Sequence, residues 1–148
     1  MAELKQLDDW LETLISQLGT AQRRKLMRDV AVQLRQQQQQ NIKLQRNPDG
    51  SAYEPRKAKG RAKSGRIRRQ MFSKLRTARY LKTRTTNDAA EVAFEGRVQR
   101  IARVHHYGLR DRVRKYGPQV TYARRELLGI TDASEEIVRD LIMDHLSR

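Results

Sequence analysis

Leu4, Leu7, Leu11, Leu14, Ile15 and Leu18 recur at spacings of three and four, which predicts a helix with one apolar face and Trp10 at its edge. Gly19 is placed to end that helix as a C′ residue, and Thr20 to cap the next one. The second helix is predicted to run through Leu26, Met27, Val30 and Leu34 toward Ile42, with the glutamine run Gln36 to Gln40 inside it. Five glutamines also fit a disordered polar tract, but glutamine is a good helix former and the flanking periodicity favours the helix. So short a linker predicts an antiparallel helical hairpin, its second arm longer than its first.

Asn47-Pro48-Asp49-Gly50 then predicts a turn: Asn initiates it, Pro fixes φ at the next position, and Gly releases the chain. Gln70 to Leu81 puts Met71, Phe72 and Leu75 at helical spacing, and Tyr80 and Leu81 lead into an extended Lys82 to Thr85. With Asn87-Asp88 as the turn, Ala90, Val92 and Phe94 alternate on the return strand of a hairpin. Val98, Ile101, Ala102 and His105 share a helix face that ends at Gly108, and Gln119 to Tyr122 is a short strand candidate after Gly117-Pro118. Asp132 as N-cap, with Glu135 three residues later, opens a final helix whose apolar register is Ile137, Val138, Leu141, Ile142 and Leu146, with His145 in line. The expected class is α+β: an N-terminal helical hairpin, a small mainly antiparallel sheet with an inserted helix, and a C-terminal helix, in a single domain over residues 1–148.

Composition thins the expected core. Of 148 residues 37% are hydrophobic and 5% aromatic, so much of the surface is built for water, a polyanion or a partner. The formal net charge is +15, unevenly spread. Residues 1–19 hold one Lys against four acids and residues 131–148 hold two Arg against five, which leaves +21 on residues 20–130. The segment Arg56 to Arg69, RKAKGRAKSGRIRR, has eight Lys or Arg, no acid and a single Ile, and reads as a mobile basic loop. Two readings stay open for its cations Arg56, Lys57, Lys59, Arg61, Lys63, Arg66, Arg68 and Arg69: nonspecific contact with DNA phosphates, or ordering against an acidic protein neighbour.

Candidate chemistry narrows the classes further. With no cysteine, the chain has no disulfide, zinc-thiolate or thiol-nucleophile option. The N-terminal stretch has charges throughout its apolar pattern, so it reads as neither a secretory signal nor a membrane span. Neighbouring His105 and His106 point about 100° apart on a helix and cannot share one ion; a structural role near the helix C-terminus, where imidazolium meets the dipole, is the better reading. No Ser-His-Asp set, P-loop or dinucleotide fingerprint is present, and the central acids are scattered singly, which argues against an enzyme. Arg100, Arg103, Arg110, Arg112, Arg114 and Lys115, interleaved with Tyr107 and Tyr116, suit stacking on single-stranded nucleic acid and equally suit a protein interface.

Five fragments, in order, carry a resemblance. After the N-terminal helical pair come Pro48-Asp49-Gly50 with Tyr53 and Pro55-Arg56, then the Met71-Phe72 and Leu75 cluster, ARVHHYG at Ala102 to Gly108, and ARRELLG at Ala123 to Gly129. Together they resemble the phage virion morphogenesis family over nearly the whole chain, though members often carry a proline where this chain has Ala123 to Leu128. The resemblance implies a structural protein that finishes the tail and allows stable joining to the DNA-filled head, with no catalytic activity, no cofactor and no metal. By analogy with neck and tail-completion proteins it implies a ring-forming subunit, preferably a hexamer, that meets other tail-terminus and head-connector proteins in the virion after assembly in the host cytoplasm. It favours the protein-interface reading for the second basic region, with Arg103, His106, Tyr107, Arg124 and Arg125 as the subunit or neck contacts. The rival class is a small basic nucleic-acid-binding protein that acts as a monomer.

Overall fold

Leu11, Ile15 and Leu18 of the leucine stripe pack as expected. A computed structural model describes residues 2–56 and 70–147, and in it α1 spans Ala2–Ser16 and α2 Thr20–Lys43. The chain forms two compact units, one from Met1–Arg35, Thr83–Val92 and Asp132–Arg148, the other from Gln36–Lys82 and Ala93–Thr131.

In the first unit, Leu11 of α1, Leu26 and Val30 of α2 and Ile142 of α4 (Asp132–Leu146) form the core. Ile15, Leu18, Met27, Leu34, Val138, Leu141 and Leu146 pack around it. Burying each such side chain contributes about 1.5–3 kcal/mol, so four buried anchors suffice only because the flanking residues keep water from them. The Asn87-Asp88 turn joins β1 (Leu81–Thr85) to β2 (Ala90–Phe94), and it is tied to α2 by Arg24 Nε donating to Asn87 Oδ1 at 3.1 Å and by an Arg23–Asp88 ion pair. His145, buried on α4, meets Asp29 of α2 at 2.8 Å.

The helix ends differ from expectation. Gly19 does not adopt a left-handed conformation; instead its carbonyl accepts the first bond of α2, from Arg23 N at 2.9 Å. Gly19 therefore takes the N-cap position, and Thr20 lies inside the first turn. The α4 helix likewise begins at Asp132 itself, which puts Asp132 and Glu135 in the first turn, where the dipole favours negative charge.

The second unit begins inside the glutamine run, which is helical. The α2 helix closes in a Schellman motif: Arg46 N donates to Asn41 O and Gln45 N to Ile42 O, with Gln45 at φ 57°. A left-handed non-glycine residue costs roughly 1–2 kcal/mol. Its side chain offsets that cost by bracketing Met71, with Nε2 donating to Met71 O at 2.9 Å and Oε1 accepting from Met71 N at 3.2 Å.

The helix expected over Met71 to Leu75 does not form. Residues 71–80 are a run of turns, because Phe72 is itself left-handed at φ 64° and breaks any helical repeat. The apolar spacing there serves separate contacts: Leu75 is buried, and Phe72 meets Tyr53 edge-on at 5.8 Å.

Helix α3 (Gln99–Tyr107) ends at Gly108 in the left-handed conformation, as its sequence predicts. Its buried residues are Ala102 and Val104, while Ile101 is 51% exposed, so the buried face is rotated from the predicted one. Among the described residues, two separate two-stranded sheets form instead of one. The second pairs β3 (Arg110–Arg112) with β4 (Gln119–Thr121) antiparallel, Arg110 opposite Thr121 and Arg112 opposite Gln119. Periodicity did not reveal β3, whose three residues are all charged.

The Gln45 clamp yields a stability order. Gln45→Ala keeps the backbone strain and loses the Met71 bonds, at a cost of about 2 kcal/mol, whereas Gln45→Gly loses the bonds but relieves the strain and costs about 1 kcal/mol. Urea denaturation with unchanged m-values checks the order; equal losses would mean the side chain holds nothing.

Candidate functional site

Residues 123–129 follow β4 as an irregular segment that pairs with no strand among the described residues, yet Arg125 and Leu127 are buried. Backbone polar groups in that position need partners from outside a ladder, and α2, the Asn47 turn and α3 supply them. Arg125 N donates to His105 O at 2.9 Å, Glu126 N to Asn47 Oδ1 at 2.8 Å, Leu127 N to His106 Nδ1 at 3.1 Å, and Gly129 N to Gln38 Oε1 at 3.0 Å. The carbonyls are met as well: Tyr53 Oη donates to Glu126 O at 3.0 Å and Gln38 Nε2 to Gly129 O at 2.8 Å.

The turn that binds this segment is shaped for it. Asn47 N donates to Ser51 O and Gly50 N to Asn47 O, which leaves Asn47 Oδ1 facing Glu126. Asp49 Oδ1 accepts from Ser51 N at 2.8 Å and from the Ser51 hydroxyl, and these bonds hold the Asp49 carboxyl below its ordinary range. Pro48 lies so close to Gly129 that a Cβ there would come within 2.3 Å of the proline Cγ. At the other end Gly108, at φ 66°, passes the Arg124 backbone, where a Cβ would stand 2.9 Å from Arg124 N. Both glycines are places where only a bare backbone fits.

Arg125 is the most buried cation of the site, at 7% exposure. Its Nε donates to Glu54 O at 2.8 Å and its terminal nitrogen to Pro55 O at 3.2 Å. Burial lowers the pKa of the guanidinium, with Glu54 acting in the opposite direction. Burial likewise pushes the Tyr53 hydroxyl well above its ordinary value, so it stays a donor. A chain of edge-on ring contacts runs from Tyr53 through Phe72 and His105 to Tyr122, the last two steps at 5.0 and 4.7 Å. Residues 53–56 and 70–72, which flank the undescribed basic segment, are thus held by one arginine, one glutamine and one ring pair.

The histidines differ from the expected imidazolium at a helix end. Burial, and then Arg125, lowers the His105 pKa. Burial is also the main cause for His106, where Glu126 raises and Arg124 lowers. Both shifts favour the neutral ring, and His106 must carry no proton on Nδ1 to accept from Leu127. Among the described residues no cluster of His, Asp or Glu could hold a metal ion.

The expected contact residues separate into two groups. Arg103 and Tyr107 are exposed on α3, and Arg124 is exposed with its guanidinium 2.7 Å from Glu126. Arg125 and His106 point into the fold and hold it together. Arg56 is exposed, while Lys57, Lys59, Arg61, Lys63, Arg66, Arg68 and Arg69 lie outside the described residues. Sequence reasoning missed Gln38, Asn47 and Tyr53 as partners of residues 126–129; a glutamine within a run of five carries no mark that distinguishes it. The site offers a rigid, cation-bearing surface for binding and no nucleophile paired with a base.

Comparison with known proteins agrees with the fragments that meet here. The phage virion morphogenesis family matches residues 2–147. Tail completion protein S of Escherichia phage P2 is 39% identical over 150 residues, covering 100% of both chains. No solved structure matches. The chain belongs to the phage virion morphogenesis family.

The two depressed histidines set a pH window. The unfolded chain takes up protons near the ordinary value of 6.5, before the folded one does. Their stability contribution is therefore complete above about pH 6.5 and is lost as pH falls through the lower folded-state values. Thermal melting between pH 8 and pH 5 should show a falling midpoint, and His106→Gln, whose amide oxygen can still accept from Leu127, should flatten the decline. An unchanged pH dependence in that variant would remove His106 from the account.

Proposed function

We propose, from membership of the phage virion morphogenesis family, that this chain is a structural tail-completion protein that finishes the phage tail and permits stable joining to the filled head. The observation that carries this reading is the full-length identity of 39% to tail completion protein S of phage P2, with no part of either chain left over. The role is structural rather than enzymatic, exercised by one tail-completion module in the tail or neck of the virion. Among the described residues no helix is long and apolar enough to cross a membrane.

Its partners are other tail-terminus and head-connector proteins and further copies of itself, arranged as a ring and, by analogy with sixfold contractile tails, as a hexamer. The exposed Arg103, Tyr107 and Arg124 are the contacts supported by position, because nothing buries them within the chain. The eight cations of residues 56–69 supply a nonspecific contact with phage DNA at the joint, since a segment without a single acid meets phosphates without repulsion.

Deleting the gene should leave DNA-filled heads and separate tails that fail to join, seen in negative stain, while normal yields of intact infectious particles would exclude the role. For the DNA contact, the slope of log K against log salt should approach roughly −7 if all eight cations engage. Replacing those eight by serine should flatten it, and an unchanged slope would move the contact elsewhere.

A further inference from the structure

The β3–β4 hairpin has two unlike faces. Alternation along the strands puts Arg110 and Arg112 on the outer face with Gln119 and Thr121, all exposed, and Asp111 with Val120 on the inner face, half-buried. Asp111, the only acid in residues 109–122, is held there by the Arg112 amide and by Arg100 of α3, each at 2.8 Å, and these bonds, the amide first, keep its carboxyl below the ordinary range. Every charge on the outer face is thereby positive. It ends in Tyr116, which is 86% exposed, with Lys115 Nζ over the ring at 5.5 Å.

Helix α4 carries the complement. Its core face is used by Ile142, Val138 and Leu141, and on the opposite side Asp132, Glu136 and Asp140 follow at i, i+4 spacing, all exposed. Met143, 47% exposed, falls within that acidic stripe. The spacings match: alternate residues on a strand stand about 6.6 Å apart, and positions i and i+4 on a helix rise by about 6 Å.

We propose that the outer face of the β3–β4 hairpin docks on the acidic outer stripe of α4 in a second copy of this chain, with Tyr116 packed on Met143. Opposite charge at matched spacing selects this head-to-tail pairing over like-facing pairs, which would oppose one cationic hairpin to another. Exposed ion pairs contribute little each, so the tyrosine and methionine supply the apolar contact while the charges set register and salt sensitivity. A heterologous contact of this kind closes into a ring where its rotation permits, so the inference deepens the ring reading above and rests on it.

Two charge-reversal variants test it on the full-length protein. Arg110→Glu with Arg112→Glu makes both faces acidic; Glu136→Lys with Asp140→Lys makes both basic. Sedimentation velocity at low salt should show wild-type assemblies that dissociate at 1 M salt, where screening acts beyond about 3 Å. Each variant alone should weaken association at least about tenfold, and an equimolar mixture should restore it, because each reversed face then meets its complement. Circular dichroism verifies that both variants fold, and Tyr116→Ser, at an exposed tip, should weaken association without touching the fold. A wild-type chain that is monomeric at every salt would overturn both the ring and this contact. Assemblies that form in wild type but not in the mixture, or that persist in either variant, would overturn this contact and leave the ring standing. A monomer whose hairpin variant loses duplex DNA binding would reassign the face to nucleic acid.

Discussion

Everything in the second unit depends on satisfying the backbone of residues 125–129 without a sheet. An irregular segment buried at Arg125 and Leu127 presents amides and carbonyls that would each cost free energy if left unpaired. Here a glutamine of α2, the asparagine and tyrosine of the Asn47 turn, and both histidines at the end of α3 provide the partners. Because the partners are spread over three elements, pairing this one segment fixes the turn, the helix end and α2 against one another. The left-handed Gly108 belongs to the same arrangement, since it passes directly beside the Arg124 backbone.

This dependence explains the thin core. Among the described residues the buried apolar side chains of the second unit are Ile42, Tyr53, Leu75, Leu81, Phe94, Ala102, Val104 and Leu127, and specific hydrogen bonds carry part of what packing carries elsewhere. Such bonds contribute about 1 kcal/mol each when made and cost more when broken in a buried place, so the arrangement tolerates substitution poorly at a few positions and well at the rest. Gly129 against Pro48 and Gly108 against Arg124 are two such positions, because close backbone approach leaves no volume for a side chain.

Legibility in the sequence followed the range of the interactions. Helices α1, α2, α3 and α4 were readable because an apolar period is local, and the first hairpin because its alternation and turn are local. Residues 71–75 misled for the same reason: their spacing mimics a helix, but Phe72 turns left-handed to reach Tyr53 and His105, and no local pattern records a distant ring. The histidine pair was rightly read as structural and wrongly as charged, because burial and nearby arginines, neither visible in a helix-end argument, lower both values. Of the five expected interface residues, Arg125 and His106 were drawn inward by carbonyls and an amide 21 to 71 positions away. Those separations are beyond the reach of any local pattern.

The segregation of charge has a different origin from the fold. Nothing in the core needs acids at both ends of the chain and cations between them; Asp132, Glu136 and Asp140 stand opposite the face of α4 that packs, and Arg110 and Arg112 stand opposite the face of β3 that Arg100 holds. A chain of net charge +15 repels its own copies at long range. Assembly in such a chain requires each copy to present acid where the next presents base, and requires those faces to be exposed. Both conditions fall on elements that the packed core and the latched segment hold from behind, so rigidity within each unit is what makes a surface pattern of opposite charges usable between copies.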